Sequence, residues 1–375
     1  MGAEVLVREA TADVLTVRRW TLHEWLSNEP AWRELLTRAA SDPLFLSWEW
    51  LVGWWKCYGD SLGQTPEILA LYRGGRLEGI APLYRRRLNR HGFIPLHSLQ
   101  MMGLSWRDPE PLISEYLDVI AAADQQEAVR QGVLRFLLAE RDWNEFVVGF
   151  TPAGSQWLAA YAQCATSHKH YARELDRCAS YQADLSVGFA AYLRDLRQST
   201  RRSVWNLRRR LADHGEVAFE QLRAEDIESG FSDLNRLHRL RWHKPAFEGR
   251  RLEFHTAMAR GMAIKGELAF SRLRVGSRVV SVLYDLRKGA SQYNLKLGFD
   301  PKLSSQISLG LIHLGLAMEA AADQGITSYD FLAGPGRTND YKRLLSQRQR
   351  QLSCVQMLQG SALSVLYRLR DGARS

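Results

Sequence analysis

Two short segments near the C-terminal end combine residue types that could carry acyl-transfer chemistry. Ser308 and Gly310 stand where a helix is predicted to begin after a strand. Small residues in a first helical turn let backbone N–H groups approach a phosphate, and the helix dipole favours the anion. The alternative interpretation is an ordinary serine-capped helix with a glycine that serves packing.

The second segment is an apolar strand that ends near Asp330 and is followed by Ala333 and Gly334. A carboxylate beside such a loop could orient or deprotonate an amine or hydroxyl acceptor, or it could cap the turn or pair with an arginine. Tyr341 could donate a proton to a leaving group, and Lys342 could bind a phosphate. A solvated surface side chain is the alternative for Lys342.

The elements that must position these residues follow from the apolar patterns. Two hairpins are predicted around Gly74-Gly75 and Gly276-Ser277, 202 residues apart in sequence. Each follows helices and precedes a further strand, so the order of elements suggests two copies of one α/β module. A single long helix is predicted over Phe189 to His214, with an apolar face and an arginine-rich face, and Gly215 is placed to end it. The arginine face could hold phosphates or simply be solvated.

Composition sets the class of protein. The chain has 375 residues, 46% hydrophobic and 24% charged, as expected for a globular protein of about two domains. Its four cysteines are scattered and lack metal spacing, so no metal site is predicted. No leader peptide or membrane span is recognised, which predicts a cytoplasmic location. The net charge of +9 fits an anionic ligand or simply an arginine-rich composition.

The stretch from Glu267 to Lys342 resembles the second half of a GNAT-type acyltransferase domain. More narrowly, the chain resembles the CelD/BcsL group of cellulose and exopolysaccharide biosynthesis from about Pro43 to Ser353, most specifically from Phe299 to Lys342. The coenzyme motif departs from the strict GNAT form, with Ser305, Ser308 and Gly310 at its key positions, but Ser-x-Gly matches the group. The resemblance implies cofactor contacts from Leu295, Ser305, Ser308 and Gly310, and catalytic roles for Asp330, Tyr341 and Lys342. It also implies substrate binding by Arg201, Asn206, Arg209, His238, Arg241 and Trp242.

The resemblance implies an α/β fold of two tandem GNAT-like modules, residues 1–185 and 186–375, each a mixed, mostly antiparallel sheet flanked by helices. The first module would be degenerate and shape the acceptor side, and the second would bind donor and carry the chemistry. The implied reaction is direct transfer of an acetyl or other acyl group from coenzyme A to an amine or hydroxyl of a small-molecule, saccharide or peptide acceptor. Two alternatives remain: a Fem-type transferase that uses aminoacyl-tRNA, and a non-catalytic scaffold in polysaccharide biosynthesis.

Overall fold

The computed structural model describes residues 15–60, 63–90, 94–106, 108, 111–140, 142–153, 170–303, 307–333, 340–359 and 362–372. The chain forms two compact units: unit 1 comprises residues 1–177 and 351–375, and unit 2 comprises residues 178–350. Ser305, one of the predicted cofactor contacts, lies outside the described residues.

Strands and helices alternate along the described chain. The strands are β1 (Thr16–Trp20), β2 (Thr65–Arg73), β3 (Arg76–Arg90), β4 (Ile94–Met101), β5 (Ile120–Ala121), β6 (Glu145–Pro152), β7 (Tyr171–Asp184), β8 (Val217–Gln221), β9 (Leu268–Val275), β10 (Arg278–Lys288), β11 (Ser291–Phe299), β12 (Ser328–Asp330) and β13 (Arg348–Leu358). The helices are α1 (Leu22–Ser27), α2 (Glu29–Arg38), α3 (Trp48–Trp54), α4 (Gln126–Ala139), α5 (Phe189–Asp195), α6 (Gln198–Val204), α7 (Ile227–Trp242), α8 (Gly249–Ile264), α9 (Leu309–Asp323), α10 (Asp340–Leu345) and α11 (Ala362–Gly372). Short 3₁₀ segments cover Asn206–His214 and Ala224–Asp226, and a π-helical turn covers Trp55–Gly59.

Both units order their strands in the same way. Unit 1 runs β1-β2-β3-β4-β6-β13, and unit 2 runs β8-β9-β10-β11-β12-β7. In each run the first three pairings are antiparallel, the fourth is parallel and the fifth is antiparallel. The predicted fold class, two α/β modules with mixed and mostly antiparallel sheets, is therefore confirmed.

The two predicted hairpins also share an irregularity that the sequence did not indicate. Both turns begin with a glycine in the left-handed region, Gly74 at φ 55° and Gly276 at φ 57°. One extra residue then bulges from the second strand, Glu78 in β3 and Val280 in β10. The bulges lie at the same offset of 202 residues as the turns. A bulge re-aims the strand and is specific to its position, so its recurrence supports duplication of one module.

The predicted domain boundaries differ from the two units. Residues 351–375 were assigned to the C-terminal module, but β13 pairs with β6 of unit 1, and Leu363 and Tyr367 of α11 pack on Leu96 of β4. The first crossing between the units falls inside β7, at 177/178 rather than near 185. The strand that ends each run, β13 in unit 1 and β7 in unit 2, is far in sequence from the strand with which it pairs. Hydrophobic patterns cannot reveal such a pairing.

The core of unit 1 is rich in tryptophan. Trp48, Trp50, Trp54 and Trp55 are all buried, with Ser47 capping α3 through a hydrogen bond from the Trp50 N–H. Neighbouring rings meet edge-on, as Trp25 does with Trp48 at 5.9 Å. These aromatic residues therefore fill the core of the first module.

Helices cover both faces of the sheet in unit 2. Tyr284 of β10 packs against Phe231 of α7, while Leu283, the preceding residue, joins a cluster with Leu314 and Met318 of α9. Successive side chains of a strand point to opposite faces. α7 and α8 therefore cover one face of this sheet, and α5, α6 and α9 cover the other.

The single long helix predicted over 189–214 is wrong. The chain leaves the helical conformation at Leu196, where ψ is 145°, and again at Trp205, giving α5, α6 and the 3₁₀ segment. The first break lets the chain fold back, so that the Trp205 ring meets Phe189 edge-on at 5.0 Å. The predicted apolar face is buried nonetheless, from Phe189 to Leu211, and Gly215 ends the segment as predicted.

Gly315 of α9 allows the close approach of α6, and replacing it with alanine tests this packing. A Cβ at Gly315 would lie 2.6 Å from the Val204 carbonyl oxygen. We expect Gly315→Ala to lower the free energy of unfolding by about 1–3 kcal/mol, because the backbone of α6 must move. Gly261→Ala, in α8 with no atom within 4 Å, is the matched control and should raise it by about 0.5–1 kcal/mol. Chemical denaturation decides, and a Gly315→Ala protein as stable as the parent would contradict the packing argument.

Candidate functional site

β11 is paired on both edges for only part of its length. Three residues, Ser291 to Tyr293, pair with β12, whereas all but one of its residues pair with β10. Residues 294–299 have no strand on the β12 side among the described residues. Their outward backbone groups can therefore bind an extended ligand as an added strand would. Leu295 is the extra residue of a bulge opposite Tyr284 and Asp285, so this predicted cofactor contact lies on the open segment.

The start of α9 lies against the same segment. Ser308 occupies the N-cap, is exposed, and its side chain makes no capping hydrogen bond. A Cβ on Gly310 would lie 2.9 Å from the Phe299 ring and 3.1 Å from Leu297. Gly310 is therefore a packing glycine, and its lack of a side chain brings the N–H groups of the first turn close to β11. Such groups have no acceptor within their own helix.

The Phe299 ring also contacts the end of α7. The Arg241 guanidinium lies 4.6 Å from the ring centroid of Phe299 and 4.8 Å from that of Trp242. Arg241 and Trp242 are exposed. The structure thus brings two predicted substrate residues to the end of β11 that also contacts the start of α9.

His238 is fixed in a defined tautomer one turn earlier on α7. Its Nδ1 lies 2.7 Å from the Lys244 carbonyl oxygen. A carbonyl only accepts, so Nδ1 must carry the hydrogen, and Nε2 is a bare acceptor in the neutral ring. Burial lowers the pKa of His238, and the positive charges of Lys296, Lys244 and Arg241 lower it further. His238 is therefore held as a neutral imidazole with one free lone pair.

Asp330 and Lys342 hold the turn that ends β12. The Asp330 carboxylate accepts from the Leu332 N–H and from Gln182 Nε2, both at 2.7 Å. The Lys342 ammonium donates to the Leu332 and Ala333 carbonyl oxygens, both at 2.9 Å. Both charged side chains are buried. Tyr341 and Lys342 lie on the short helix α10 rather than in the loop that the sequence predicted.

Tyr341 is half-buried beside this turn and packs on the cluster around Phe331. Burial raises its pKa to about 12, and the charge of Arg241 opposes part of that rise. The phenol is therefore protonated at neutral pH. The charge of Arg241 thus acts to lower the pKa of both Tyr341 and His238.

The substrate contacts predicted on the arginine-rich helix do not lie on the same face of the sheet as His238. Asn206 and Arg209 are exposed, and Arg201 makes only a long 3.5 Å bond to the Arg194 carbonyl. Leu211 of the same 3₁₀ segment packs with Leu309 at the start of α9. These residues therefore lie on the α9 face of the sheet, whereas His238 belongs to the α7 face.

A buried polar network in the sheet escaped the sequence analysis. Asp285 accepts hydrogen bonds from Gln292 Nε2 at 2.7 Å, Asn294 Nδ2 at 2.8 Å and the Tyr329 hydroxyl at 2.5 Å. It thereby joins β10, β11 and β12 just before the open segment. Burial raises the pKa of Asp285 to about 6, against the effect of these three donors. Polar residues at alternate positions of otherwise apolar strands were the available signal.

The sequence analysis also missed three cations, Lys244, Arg251 and Lys296, whose charges act on one another or on His238 and which form no ion pair with the described part of the chain. They come from the α7–α8 connection, α8 and β11, so no local motif unites them.

The described residues contain no group of histidine, cysteine and acidic side chains that could hold a metal ion. Among the same residues, no helix combines the length and apolar character needed to cross a membrane.

The sequence of residues 198–343 matches the family described as "Acetyltransferase (GNAT) domain". The chain therefore contains a GNAT-type acetyltransferase domain, and this match supports an acyltransferase activity. The matched residues include the open segment of β11, the start of α9 and the turn after β12. No curated protein matches the chain in sequence.

Solved structures share the fold over most of the chain. FemX aligns with a TM-score of 0.59 and 10% identity, covering 90% of this chain and 96% of FemX. A conserved protein of unknown function from Bacteroides thetaiotaomicron VPI-5482 aligns at 0.55 and 11%, covering 92% and 100%. L-PGS from Bacillus licheniformis aligns at 0.51 and 10%, covering 90% and 94%. At these identities the similarity establishes the fold and leaves the substrates open.

Asp285→Asn tests the buried carboxylate through the pH dependence of stability. With a pKa of about 6 in the fold and about 3.9 unfolded, the native state binds the extra proton between these values. The carboxyl group therefore adds stability at low pH, and this contribution is lost as pH rises through 6. The unfolding free energy of the parent relative to Asp285→Asn should fall by about 1–3 kcal/mol from pH 4 to pH 8.

The control for Asp285→Asn is Asp213→Asn, which removes an exposed carboxylate from the 3₁₀ segment. Denaturant unfolding at several pH values supplies the measurement. A difference between parent and Asp285→Asn that stays constant with pH would show that this carboxylate does not titrate as described.

Proposed function

We propose that unit 2 transfers an acyl group directly from a coenzyme A thioester to an amine or hydroxyl acceptor at the open segment of β11. The observation that carries this proposal is the unpaired edge of residues 294–299, which lies within the residues matched to the acetyltransferase domain. In direct transfer the enzyme supplies positioning, carbonyl polarisation and proton management, with no covalent enzyme intermediate.

The donor would be held at the start of α9. Ser308 is exposed there, and the N–H groups of the first turn lack intrahelical acceptors, which suits a pyrophosphate. The open backbone of residues 294–299, including the bulge at Leu295, offers hydrogen bonds to an amide-containing arm. The packing of Gly310 on Phe299 keeps these two parts adjacent. When bound, the thioester supplies the activated acyl group.

Proton transfer is assigned to two side chains, one that accepts a proton and one that donates a proton. A bond forms between the acceptor nitrogen or oxygen and the acyl carbon while the carbon–sulfur bond breaks. His238, neutral with Nε2 unprotonated, takes the proton that the acceptor loses. Tyr341, protonated at neutral pH, donates to the leaving sulfur. Arg241 and Trp242 would bind the acceptor beside them.

Asp330 and Lys342 contribute by holding the turn after β12. Their hydrogen bonds go to the backbone of Leu332 and Ala333 and to Gln182. A direct part in the reaction, which the family resemblance implies for both, stays a prediction.

An aminoacyl-tRNA donor is the second candidate. It is favoured by the fold shared with FemX along 90% of the chain and by the net charge of +9. Asn206 and Arg209, exposed near the start of α9, would then contact phosphates. Binding of this kind weakens steeply with salt.

Ser308→Trp tests the position of the donor. We expect nucleic-acid-free protein to bind acetyl-CoA with about micromolar affinity, and Ser308→Trp to weaken it by about tenfold or more. The exposed Ser308 side chain makes no bond that the fold needs, so the tryptophan should block the helix start without unfolding the protein. Isothermal titration calorimetry measures both affinities.

Ser199→Trp, which places the same bulk on another exposed serine in the first turn of α6, is the matched control and should change acetyl-CoA affinity less than twofold. Equal losses in the two variants would remove the donor from the start of α9. No binding by folded protein, together with salt-sensitive binding of tRNA, would replace coenzyme A with the aminoacyl-tRNA donor.

His238→Asn tests the proton acceptor. The asparagine amide can still donate to the Lys244 carbonyl in place of Nδ1, while the Nε2 lone pair is lost. In an assay of thiol release with an identified acceptor, we expect turnover to fall by about 10²–10⁴-fold. For the parent enzyme, kcat/KM should fall at acidic pH as His238 becomes protonated. The midpoint of this acidic limb should lie below the ordinary histidine pKa of about 6.5, because the pKa of His238 is lowered.

Asn235→Ala provides the comparison for His238→Asn. Asn235 clamps the backbone of Phe247 in the same α7–α8 connection, with bonds of 2.9 and 3.0 Å, but it has no titratable group. It should change KM or stability while leaving the acidic limb in place. A His238→Asn enzyme with normal turnover would exclude His238 as the proton acceptor.

A further inference from the structure

Three cations of unit 2 have no acidic partner among the residues that the structure describes. Lys244 lies in the α7–α8 connection, Arg251 in the first turn of α8 and Lys296 on the open segment of β11. None of the three forms an ion pair within the described residues, and Arg251 Nε is buried without a hydrogen-bond acceptor. Lys244 is exposed, whereas Arg251 and Lys296 are partly buried. A charged group that is removed from water is normally paired, since desolvation without a partner is costly.

The three cations also lie close enough to act on one another. The charges of Arg251 and Lys244 destabilise the Lys296 ammonium, and Lys342 adds to them. Burial is the largest cause, and together they lower the pKa of Lys296 to about 8. The charge of Lys296 in turn lowers the pKa of His238 and His255. A bound anion would relieve this mutual repulsion.

Aromatic rings form an apolar wall beside the ammonium of Lys296. Its Nζ lies 5.9 Å from the ring centroid of Phe247, which stacks on His255 with centroids 4.0 Å apart. The Asn235 side chain fixes the backbone of Phe247: its Nδ2 donates to the Phe247 carbonyl oxygen, and its Oδ1 accepts from the Phe247 N–H. An apolar wall lowers the local dielectric, so an ion pair formed here is stronger than one in water.

We propose that Lys244, Arg251 and Lys296 bind an anionic group, a phosphate or a carboxylate, on the acyl acceptor. The assignment to the acceptor rests on the proposed function, whereas the anion site itself does not. Lys296 pairs with Tyr284, whose ring faces α7 and α8. Gly310 and the start of α9 pack on the opposite face through Leu297. The anion therefore lies beside His238 and away from the helix start that would hold the donor.

Titration with inorganic phosphate, and in parallel with acetate, tests the site without a known acceptor. We expect saturable binding of at least one anion at millimolar concentration by calorimetry. Arg251→Met should weaken it by about tenfold, as loss of one charge-assisted contact predicts. Lys56→Met, an exposed lysine of unit 1, removes the same charge elsewhere and should leave the affinity within twofold. Preference for phosphate or acetate identifies the class of anion.

A second measurement locates the anion. After reductive ¹³C-methylation, the Lys296 signal, assigned with Lys296→Arg, should titrate near pH 8 and move to higher pH when the anion is bound. This readout remains informative if Arg251→Met folds poorly. No saturable binding, or an unchanged Lys296 titration at saturation, would overturn the anion site.

The same phosphate titration at saturating coenzyme A separates the two proposals. Unchanged anion affinity supports the acceptor assignment, whereas competition would assign the three cations to the donor. If coenzyme A does not bind at all, the proposed donor fails, but the anion site still stands or falls by Arg251→Met and the Lys296 signal.

Discussion

The turn after β12 is the constraint on which the site of unit 2 depends. Leu332 adopts a left-handed φ of 56°, which is costly for a residue with a side chain. The Asp330 carboxylate holds its N–H, and the Lys342 ammonium holds its carbonyl. These bonds offset the strain and direct the chain away from the sheet. β12 therefore ends after three residues, and the longer β11 keeps one open edge.

The second module has this open edge, and the first does not, although both have the same strand order. The parallel pairing is three residues long in each. In unit 1, β4 ends at Met101, one residue past its pairing with β6, whereas β11 continues for six residues. The pairing of β3 with β4 is also regular, without a counterpart of the bulge at Leu295. The asymmetry supports the interpretation that the first module no longer binds a donor.

Electrostatics give the α7 face of unit 2 its chemical character. Burial and neighbouring cations keep His238 of this face neutral. Lys296, Arg251 and Lys244 add positive charge, and none of them forms an ion pair within the described residues. Burial is the main cause of the lowered pKa of His238, and the charges of Lys296 and Lys244 add to it. Under the proposed function, acceptor recognition and proton transfer would therefore share these two charges.

The sequence by itself determined much of the fold, namely the glycine turns of both hairpins and the apolar face from Phe189 to Leu211, because these features follow from local chemistry. The GNAT-type domain was recognised from Phe299 to Lys342 for the same reason, because its residues lie close together in the chain. The tertiary structure alone decided the break at Leu196 and the pairing of β13 with unit 1. It also decided that Lys244 and Lys296, 52 residues apart in sequence, lie close enough for the charge of one to lower the pKa of the other. Such features arise from contacts between distant segments, and no local pattern of residue types encodes the pairing of one strand with another or the field that several charges produce together.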